Sequence, residues 1–247
     1  MIVFLTSSPS GPLDGSRFVD GLDYMNSFVD NLKHYWKDCA KCLMITASPN
    51  DYEQNDEMTN FFEKSVRNAG LSCSEFLLWD GRDEIMSKEE LHTYDVIFLG
   101  GGHVPTQNRF FKEIGLREKI EGFRGIVIGI SAGTMNSADI VYAQPELPGE
   151  GADPLYVKYF SGLNLSKTQI LPHYQMVKEY ILDGKRLYDE ITFEDSFGNH
   201  FLVLPDGSYL FSENGKETVW GEAWIFSDGK MRKICEANEN VPLIWEE

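Results

Sequence analysis

Short apolar runs alternate with amphipathic segments over about the first 135 residues of the chain. Each run predicts a buried strand, and the segments between the runs place apolar residues at helical spacing. Strands that alternate with helices pair in a parallel sheet, which needs helices on both faces. The pattern therefore predicts an α/β fold of three layers, with a mostly parallel sheet flanked by helices. The predicted strands are 2–6, 42–47, 74–78, 95–99 and 125–130, and the predicted helices are 26–39, 57–69, 87–91 and 108–121.

The alternation changes after Ser131. Residues 167–171 predict a further strand, and the spacing of apolar residues over 174–191 predicts a helix. From residue 200 onward, turn sequences separate short strands, which indicates antiparallel strands at the C-terminal end. We find no linker and no internal repeat, so we expect a single domain over residues 1–247. The turn sequences are Pro205-Asp206-Gly207, Glu213-Asn214-Gly215 and Ser227-Asp228-Gly229.

The chain is strongly acidic, with a formal net charge of −17. Such a surface repels nucleic-acid phosphates and anionic membranes, so we expect neither as a partner. The four cysteines form no disulfide framework, and no apolar run approaches the roughly 18 residues of a membrane span, which favours the cytoplasm. The pair Cys39 and Cys42 has no second Cys/His pair to complete a zinc site, and we expect no metal or other cofactor. We expect a monomer or a homodimer.

Gly129-Ile130-Ser131-Ala132-Gly133 fits the pattern G-x-S-x-G. An apolar strand precedes it and helix-compatible residues follow, which is the setting of a nucleophile elbow. There the sharp turn lifts the serine hydroxyl above the sheet edge. The N–H of Ala132, at the helix N-terminus, then faces developing negative charge. The alternative is a tight strand–helix turn in which Ser131 merely caps the helix.

Gly100-Gly101-Gly102 follows the predicted strand 95–99. The carboxyl ends of parallel strands share one sheet edge, so this loop and Ser131 should lie close together. The N–H groups of Gly101 or Gly102 could then form an oxyanion hole with that of Ala132. The alternative is a tight or phosphate-cradling loop, but the sequence is neither G-x-G-x-x-G nor a P-loop, so we predict no nucleotide site.

A catalytic serine needs a base. His173 is favoured because it ends a predicted strand, and a strand parallel to that of Ser131 would bring it to the same edge. His200 begins a strand and should lie at the opposite side. His103, directly after the glycines, is a candidate for the wall of the substrate pocket.

The acid that would orient the base is less strongly determined by the sequence. Asp206 lies in a Pro-Asp-Gly turn, which turn propensity alone also explains. Glu146 lies in the loop after the elbow and is the alternative. Asp153 and Asp195 also remain open.

The glycine triplet, the G-I-S-A-G elbow and Leu171-Pro172-His173, in this order, resemble the dipeptidase E (aspartyl dipeptidase) family of serine peptidases. Cyanophycinase is a more distant relative. The resemblance implies a fold similar to class I glutamine amidotransferases, with Ser131 as nucleophile and His173 as base. It implies Asp206 as the acid by one alignment and Glu146 by another; we prefer Asp206, because it too follows an apolar strand. The implied activity is hydrolysis of small peptides, including Asp-X dipeptides, through an acyl-enzyme.

The sequence departs from the family at two points. The family usually has Asn and Thr soon after the glycines, whereas this chain has His103-Val104-Pro105-Thr106-Gln107-Asn108 there. The third member of the triad in this chain would also be Asp rather than Glu. An N-terminal Asp side chain needs a cation in the pocket, for which Arg186 and Lys185 are candidates. The alternative is that both are exposed helix residues.

Two other functions compete with the serine peptidase. The first is an α/β-hydrolase esterase, in which the triad follows the order Ser, acid, His. Its oxyanion donor usually lies far upstream of the elbow, whereas the glycine triplet here precedes Ser131 by about thirty residues. The second is a non-catalytic relative that binds a small molecule, since a fold does not fix a function. That alternative predicts that His173 lies far from Ser131.

Overall fold

In the computed structural model, residues 1–10 and 21–245 are described. The strands are β1 (Ile2–Thr6), β2 (Ala40–Ile45), β3 (Cys73–Trp79), β4 (Val96–Leu99), β5 (Ile126–Ile130), β6 (Ile140–Tyr142), β7 (Tyr159–Ser161), β8 (Gln169–Leu171), β9 (Ile181–Leu182), β10 (Lys185–Arg186), β11 (His200–Val203), β12 (Tyr209–Glu213), β13 (Lys216–Trp220), β14 (Ala223–Ser227), β15 (Lys230–Cys235) and β16 (Asn240–Pro242). The helices are α1 (Phe28–Tyr35), α2 (Tyr52–Asn68), α3 (Lys88–Leu91), α4 (Val104–Glu113), α5 (Leu116–Ile120), α6 (Ala132–Asn136), α7 (Tyr174–Val177) and α8 (Phe193–Asp195), with a 3₁₀ turn at Met25–Ser27 and a π-helical segment at Leu187–Thr192.

An eight-stranded mixed sheet, the main sheet, has the order β16-β13-β12-β1-β5-β4-β2-β3. The five strands from β1 to β3 in this order are parallel to one another, as the alternating pattern predicts. At β1 the sheet continues with the three antiparallel strands β12, β13 and β16. The predicted antiparallel strands of the C-terminal part therefore extend the sheet that the N-terminal part begins.

A second sheet of four strands has the order β15-β14-β11-β8. Its β8 and β11 are parallel, with Gln169 opposite Phe201 and Leu171 opposite Val203. The two strands therefore end side by side, and the residues that follow them are neighbours. The other pairs in this sheet are antiparallel.

Buried side chains lie on both faces of the main sheet, because its central strands are apolar on both sides. On one face, α1 and α2 pack through residues such as Leu32 and Phe62. On the other face, α4, α5 and the second sheet pack through residues such as Phe110 and Leu202. The structure is thus an α/β fold in which a large sheet is flanked by helices, as predicted, but the sheet is mixed where a mostly parallel one was expected.

The segment 174–191, predicted as one helix, is not one. It consists of the short α7, the two-stranded hairpin of β9 and β10, and the π-helical segment. The hairpin turns at Asp183 and Gly184, which both have positive φ, 51° and 80°. Asp-Gly with positive φ at both positions is the preferred two-residue hairpin turn, and it interrupts the helical spacing. Likewise, the predicted helix 108–121 is divided into α4 and α5 at Gly115, where φ is 63°.

Among the residues that the structure describes, no helix is both long enough and apolar enough to cross a membrane.

Candidate active site

Ser131 occupies a sharp turn between β5 and α6. Its φ of 49° and ψ of −107° are unusual for a residue with a side chain, and such strain is common at functional sites. Two glycines make the turn possible by allowing close approach. A Cβ on Gly129 would lie 2.8 Å from Thr134 Oγ1, and one on Gly133 would lie 2.2 Å from the carbonyl oxygen of Leu99. The strand–turn–helix setting predicted from G-x-S-x-G is therefore present.

His173 and Asp206 continue a chain of hydrogen bonds from Ser131. Nε2 of His173 lies 2.8 Å from Ser131 Oγ, and Nδ1 lies 2.6 Å from Asp206 Oδ1. A carboxylate only accepts hydrogen bonds, so Nδ1 carries the proton and Nε2 can accept the serine O–H. This arrangement matches the geometry in which an imidazole activates a serine hydroxyl.

The two sheets contribute different members of this chain. Ser131 follows β5 in the main sheet, whereas His173 and Asp206 follow the parallel neighbours β8 and β11 of the second sheet. His173 therefore reaches Ser131 from the second sheet and not from a strand of the main sheet that is parallel to β5. The reason is that the chain leaves the main sheet after β5 and returns to it only at β12. As predicted, His200 begins its strand, β11, at the end far from this site.

The Asp206 carboxylate is buried, with hydrogen bonds from three side chains. Besides His173, Ser7 Oγ donates to Oδ1 at 2.6 Å and Gln175 Nε2 donates to Oδ2 at 2.7 Å. Burial alone would raise the pKa of Asp206, but these hydrogen bonds and the electrostatic interaction with His173 outweigh it and lower the pKa below its ordinary value. The carboxylate form is therefore favoured at neutral pH.

Ser7 and Gln175 were not identified as site residues from the sequence. Ser7 also accepts the backbone N–H of His173 at 2.8 Å, and Gln175 Oε1 accepts that of Asp206 at 3.0 Å. A signal for Ser7 exists, since it follows β1, which is parallel to β5 and ends at the same edge. Gln175 has no such signal beyond its closeness to His173 in sequence.

The glycine triplet lies beside Ser131, as predicted. A Cβ on Gly101 would be 3.5 Å from Ser131 Cβ, and Gly102 has a φ of 150°, which side chains disfavour. Gln107 Nε2 donates to the carbonyl of Gly100 at 2.7 Å and anchors the loop. Within the described part of the chain, the N–H groups of Gly101, Gly102 and Ala132 have no acceptor, so they are available to a ligand.

Glu146, the alternative acid, contacts neither nitrogen of His173, since Ser131 and Asp206 occupy both. It lines a cavity in front of Ser131 instead. Burial is the largest influence on the pKa of Glu146 and raises it, as does the charge of Glu150. His103 and His173 act in the opposite direction, but the pKa remains above its ordinary value. Asp153 and Asp195 have other partners: Asp153 accepts the backbone N–H of Leu155, and Asp195 binds Tyr142 and Lys158.

Two predicted substrate-binding residues have other partners. His103 is hydrogen-bonded through Nδ1 to Thr106 Oγ1 and through Nε2 to Glu150, both at 2.8 Å. Arg186 is exposed and forms an ion pair with Asp189 at 3.0 Å. The placement of Arg186 in the pocket is therefore wrong, because the β9–β10 hairpin directs it to the surface. Neither side chain lines the cavity.

The cavity in front of Ser131 has a volume of about 220 Å³, below the roughly 300–1,000 Å³ of sites for drug-sized ligands. Its lining is mainly apolar. Within the described residues, no group of three or more His, Cys, Asp or Glu side chains is arranged to hold a metal ion. The lining residues are Gly102, Val104, Ser131, Met135, Gln144, Pro145, Glu146, Pro172, His173, Val177, Tyr180 and Leu187.

Comparisons with known proteins agree with this architecture. A peptidase from an acI-B1 actinobacterium has a similar structure, with a TM-score of 0.65 and 13% sequence identity over 98% of this chain and 96% of that chain. A protein from Listeria monocytogenes EGD-e, provisionally assigned as a peptidase E, gives a TM-score of 0.54 and 18% identity over 87% of this chain and 96% of that chain. Comparison with curated proteins finds no match.

At these identities the two solved structures establish the similarity of fold alone. The family follows from the sequence, since residues 17–219 match the model of peptidase family S51. That range covers most of the chain and includes the elbow, the glycine loop and the three hydrogen-bonded side chains. This chain therefore belongs to peptidase family S51, the dipeptidase E family of serine-type peptidases.

Proposed function

We propose that the chain hydrolyses small peptides through a Ser131–His173–Asp206 triad and an acyl-enzyme. The observation that carries the proposal is the continuous hydrogen-bonded chain, 2.8 Å from Ser131 Oγ to His173 Nε2 and 2.6 Å from Nδ1 to Asp206. Both distances are those of direct hydrogen bonds, so the proton can pass without a bridging water. The buried acid favours the tautomer of His173 that the reaction needs.

In the proposed mechanism, His173 Nε2 takes the proton of Ser131 as Oγ attacks the peptide carbonyl carbon. The tetrahedral intermediate collapses when the now protonated His173 gives that proton to the leaving amine, and the C–N bond breaks. A water molecule then attacks the acyl-enzyme ester, again with His173 as base, and Ser131 regains its proton as the acid product leaves. Asp206 keeps its negative charge throughout and stabilises the imidazolium.

The developing oxyanion needs hydrogen-bond donors, and the N–H groups of Gly101, Gly102 and Ala132 are proposed for this role. Their support is that no described residue accepts these hydrogen bonds and that Gly101 lies directly beside Ser131. Removing one such donor typically costs about 2.7–4 kcal/mol of transition-state stabilisation. The glycine loop should therefore matter nearly as much as the base.

The competing functions have less support. A non-catalytic relative has no need for a serine, an imidazole and a buried carboxylate within direct hydrogen-bond distance. An α/β-hydrolase esterase would place its acid before its histidine, whereas Asp206 follows His173 in the chain. The amidotransferase-like arrangement, in which the glycine loop lies one strand before the elbow, remains our preferred description of the fold class.

The test is covalent labelling and peptide turnover. A fluorophosphonate probe should label the wild-type protein at Ser131, and Ser131→Ala should abolish both the labelling and the hydrolysis of dipeptides. Ser74→Ala, on the exposed side of β3, is the matched control and should behave as wild type. Peptide hydrolysis that persists unchanged in Ser131→Ala contradicts the mechanism.

The same probe separates the two candidate acids. Replacing the acid of such a triad by its amide lowers the rate by about 10⁴-fold, because the histidine then adopts the wrong tautomer. We expect Asp206→Asn to slow labelling by about this factor. Glu146→Gln should label at the wild-type rate, and the reverse result would assign the acid to Glu146.

A further inference from the structure

Glu146 presents a carboxylate to the cavity that the proposed triad does not use. Its side chain is accessible from the cavity, and no described residue donates a hydrogen bond to it. A carboxylate that lines the same cavity as the proposed nucleophile, and that has no hydrogen-bond donor among the described residues, is suited to bind a cationic group of the substrate. The question is which group of a peptide that would be.

The loop that carries Glu146 is held in place by other residues. The backbone N–H groups of Glu146 and Leu147 both donate to Glu150 Oε2 at 2.9 Å, while Glu150 Oε1 binds His103. Farther along, Gly149 N–H donates to Asp183 of the β9–β10 turn at 2.8 Å. Glu150 therefore has a structural role, and the backbone that carries Glu146 is held in place before any ligand binds, which favours affinity.

The rest of the cavity is poorly suited to a negatively charged side chain. None of the described residues that line it is a Lys or an Arg, and Arg186 is paired with Asp189 at the surface. An Asp side chain in this cavity would face the Glu146 carboxylate and an apolar wall, at a cost in both repulsion and desolvation. An uncharged apolar side chain meets Val104, Met135 and Leu187 without that cost.

We infer that the substrate is a peptide whose N-terminal residue has a free amino group and an apolar side chain, and that Glu146 binds this ammonium group. The inference rests on the proposed acyl transfer at Ser131. In such a residue the ammonium nitrogen lies only about 2.5 Å from the scissile carbonyl carbon. One cavity lined by both Ser131 and Glu146 can therefore hold the carbonyl and the ammonium of the same residue.

The test compares kcat/KM for Leu-Leu, Asp-Leu and the N-acetyl derivative of Leu-Leu, in the wild type and in Glu146→Gln. We expect the wild type to prefer Leu-Leu over both other peptides. A hydrogen bond to a charged group corresponds to about a 10- to 100-fold effect, so Glu146→Gln should lower kcat/KM for Leu-Leu by this factor. The substitution should change hydrolysis of the acetylated peptide less than about threefold, since that peptide has no ammonium to lose.

Glu179→Gln is the matched control, because Glu179 is exposed just after α7 and does not line the cavity. It removes the same charge and should leave the preference for Leu-Leu unchanged. Faster hydrolysis of Asp-Leu than of Leu-Leu overturns the inference, as does an equal effect of Glu146→Gln on free and acetylated peptides. Either result overturns only the inference about Glu146, and the proposed triad stands as long as the wild type hydrolyses peptides. A wild type that is labelled at Ser131 but hydrolyses none of the three peptides contradicts both proposals.

Discussion

Gly133 offers a quantitative test of how the elbow is built. It is the second residue of α6, and its Cα faces the end of β4. A Cβ built there would lie 2.2 Å from the carbonyl oxygen of Leu99, about 1.2 Å short of the 3.4 Å at which ordinary contact begins. The obstacle is backbone of a central strand, not the end of a flexible side chain. Gly133→Ala must therefore move α6 away from β4 by about 1 Å.

This displacement has two measurable consequences. Overpacking of this kind typically costs about 1–3 kcal/mol of stability. For a chain of this size, about 1 kcal/mol corresponds to a Tm change of about 2–4 °C, so the expected decrease is about 2–12 °C. The shift also moves Ser131 and the N–H of Ala132, and a misplacement of about 1 Å at a catalytic group can cost about 100-fold in rate.

Differential scanning calorimetry and the rate of fluorophosphonate labelling measure these two effects. Gly101→Ala is the control for stability, because its Cβ would make an ordinary contact of 3.5 Å with Ser131 Cβ. We expect it to melt within about 4 °C of wild type, the equivalent of about 1 kcal/mol. If Gly133→Ala melts with the wild type and labels at the same rate, the close approach of α6 to β4 does not constrain the elbow.

Two further predictions concern buried carboxylates. Ser7→Ala removes a hydrogen bond to Asp206, and hydrogen bonds to charged groups are worth about 1.5–3 kcal/mol. We therefore expect kcat to fall about 10- to 100-fold with KM little changed. A change in KM alone would contradict this positioning role of Ser7. At Asp80, burial alone raises the pKa, but hydrogen bonds from Arg82 and Asn55 outweigh it and lower the pKa below the ordinary 3.8. The ionised Asp80 therefore stabilises the folded state above pH 3.8, and this stabilisation is lost as the pH falls through the folded-state pKa. Urea unfolding at pH 6 and pH 3 should therefore show a larger loss of stability in the wild type than in Asp80→Asn, and equal losses would refute this assignment.

The sequence predicts the half of the site that depends on local structure. The elbow at Ser131 and the glycine loop each follow an apolar strand directly, so the strand alone determines where they lie. The parallel pairing of these strands then brings Gly101 beside Ser131. No contact from a distant part of the chain is needed to predict this proximity.

The other half depends on tertiary pairing that local patterns do not encode. His173 was identified because it ends a strand, but nothing in that strand specifies that β8 pairs with β11 in a second sheet. The bond from Ser7 to Asp206 joins residues 199 positions apart, and only the pairing of β1 with β12 brings them together. Arg186 was misplaced for a different reason, since apolar spacing over 174–191 concealed the Asp183-Gly184 turn.

The division of the proposed triad between two sheets has a consequence for the synthesis of the protein. A chain made from its N-terminus contains the Ser131 elbow, with its sheet partners β1 and β4, well before β11 and Asp206 exist. The proposed nucleophile then lacks both the histidine and the buried carboxylate proposed to act with it. Under the proposed mechanism, hydrolysis becomes possible only when the last third of the chain has joined β12 to β1 and packed the second sheet against the first. A newly made peptidase of this kind is therefore inert toward its surroundings until its folding is almost complete.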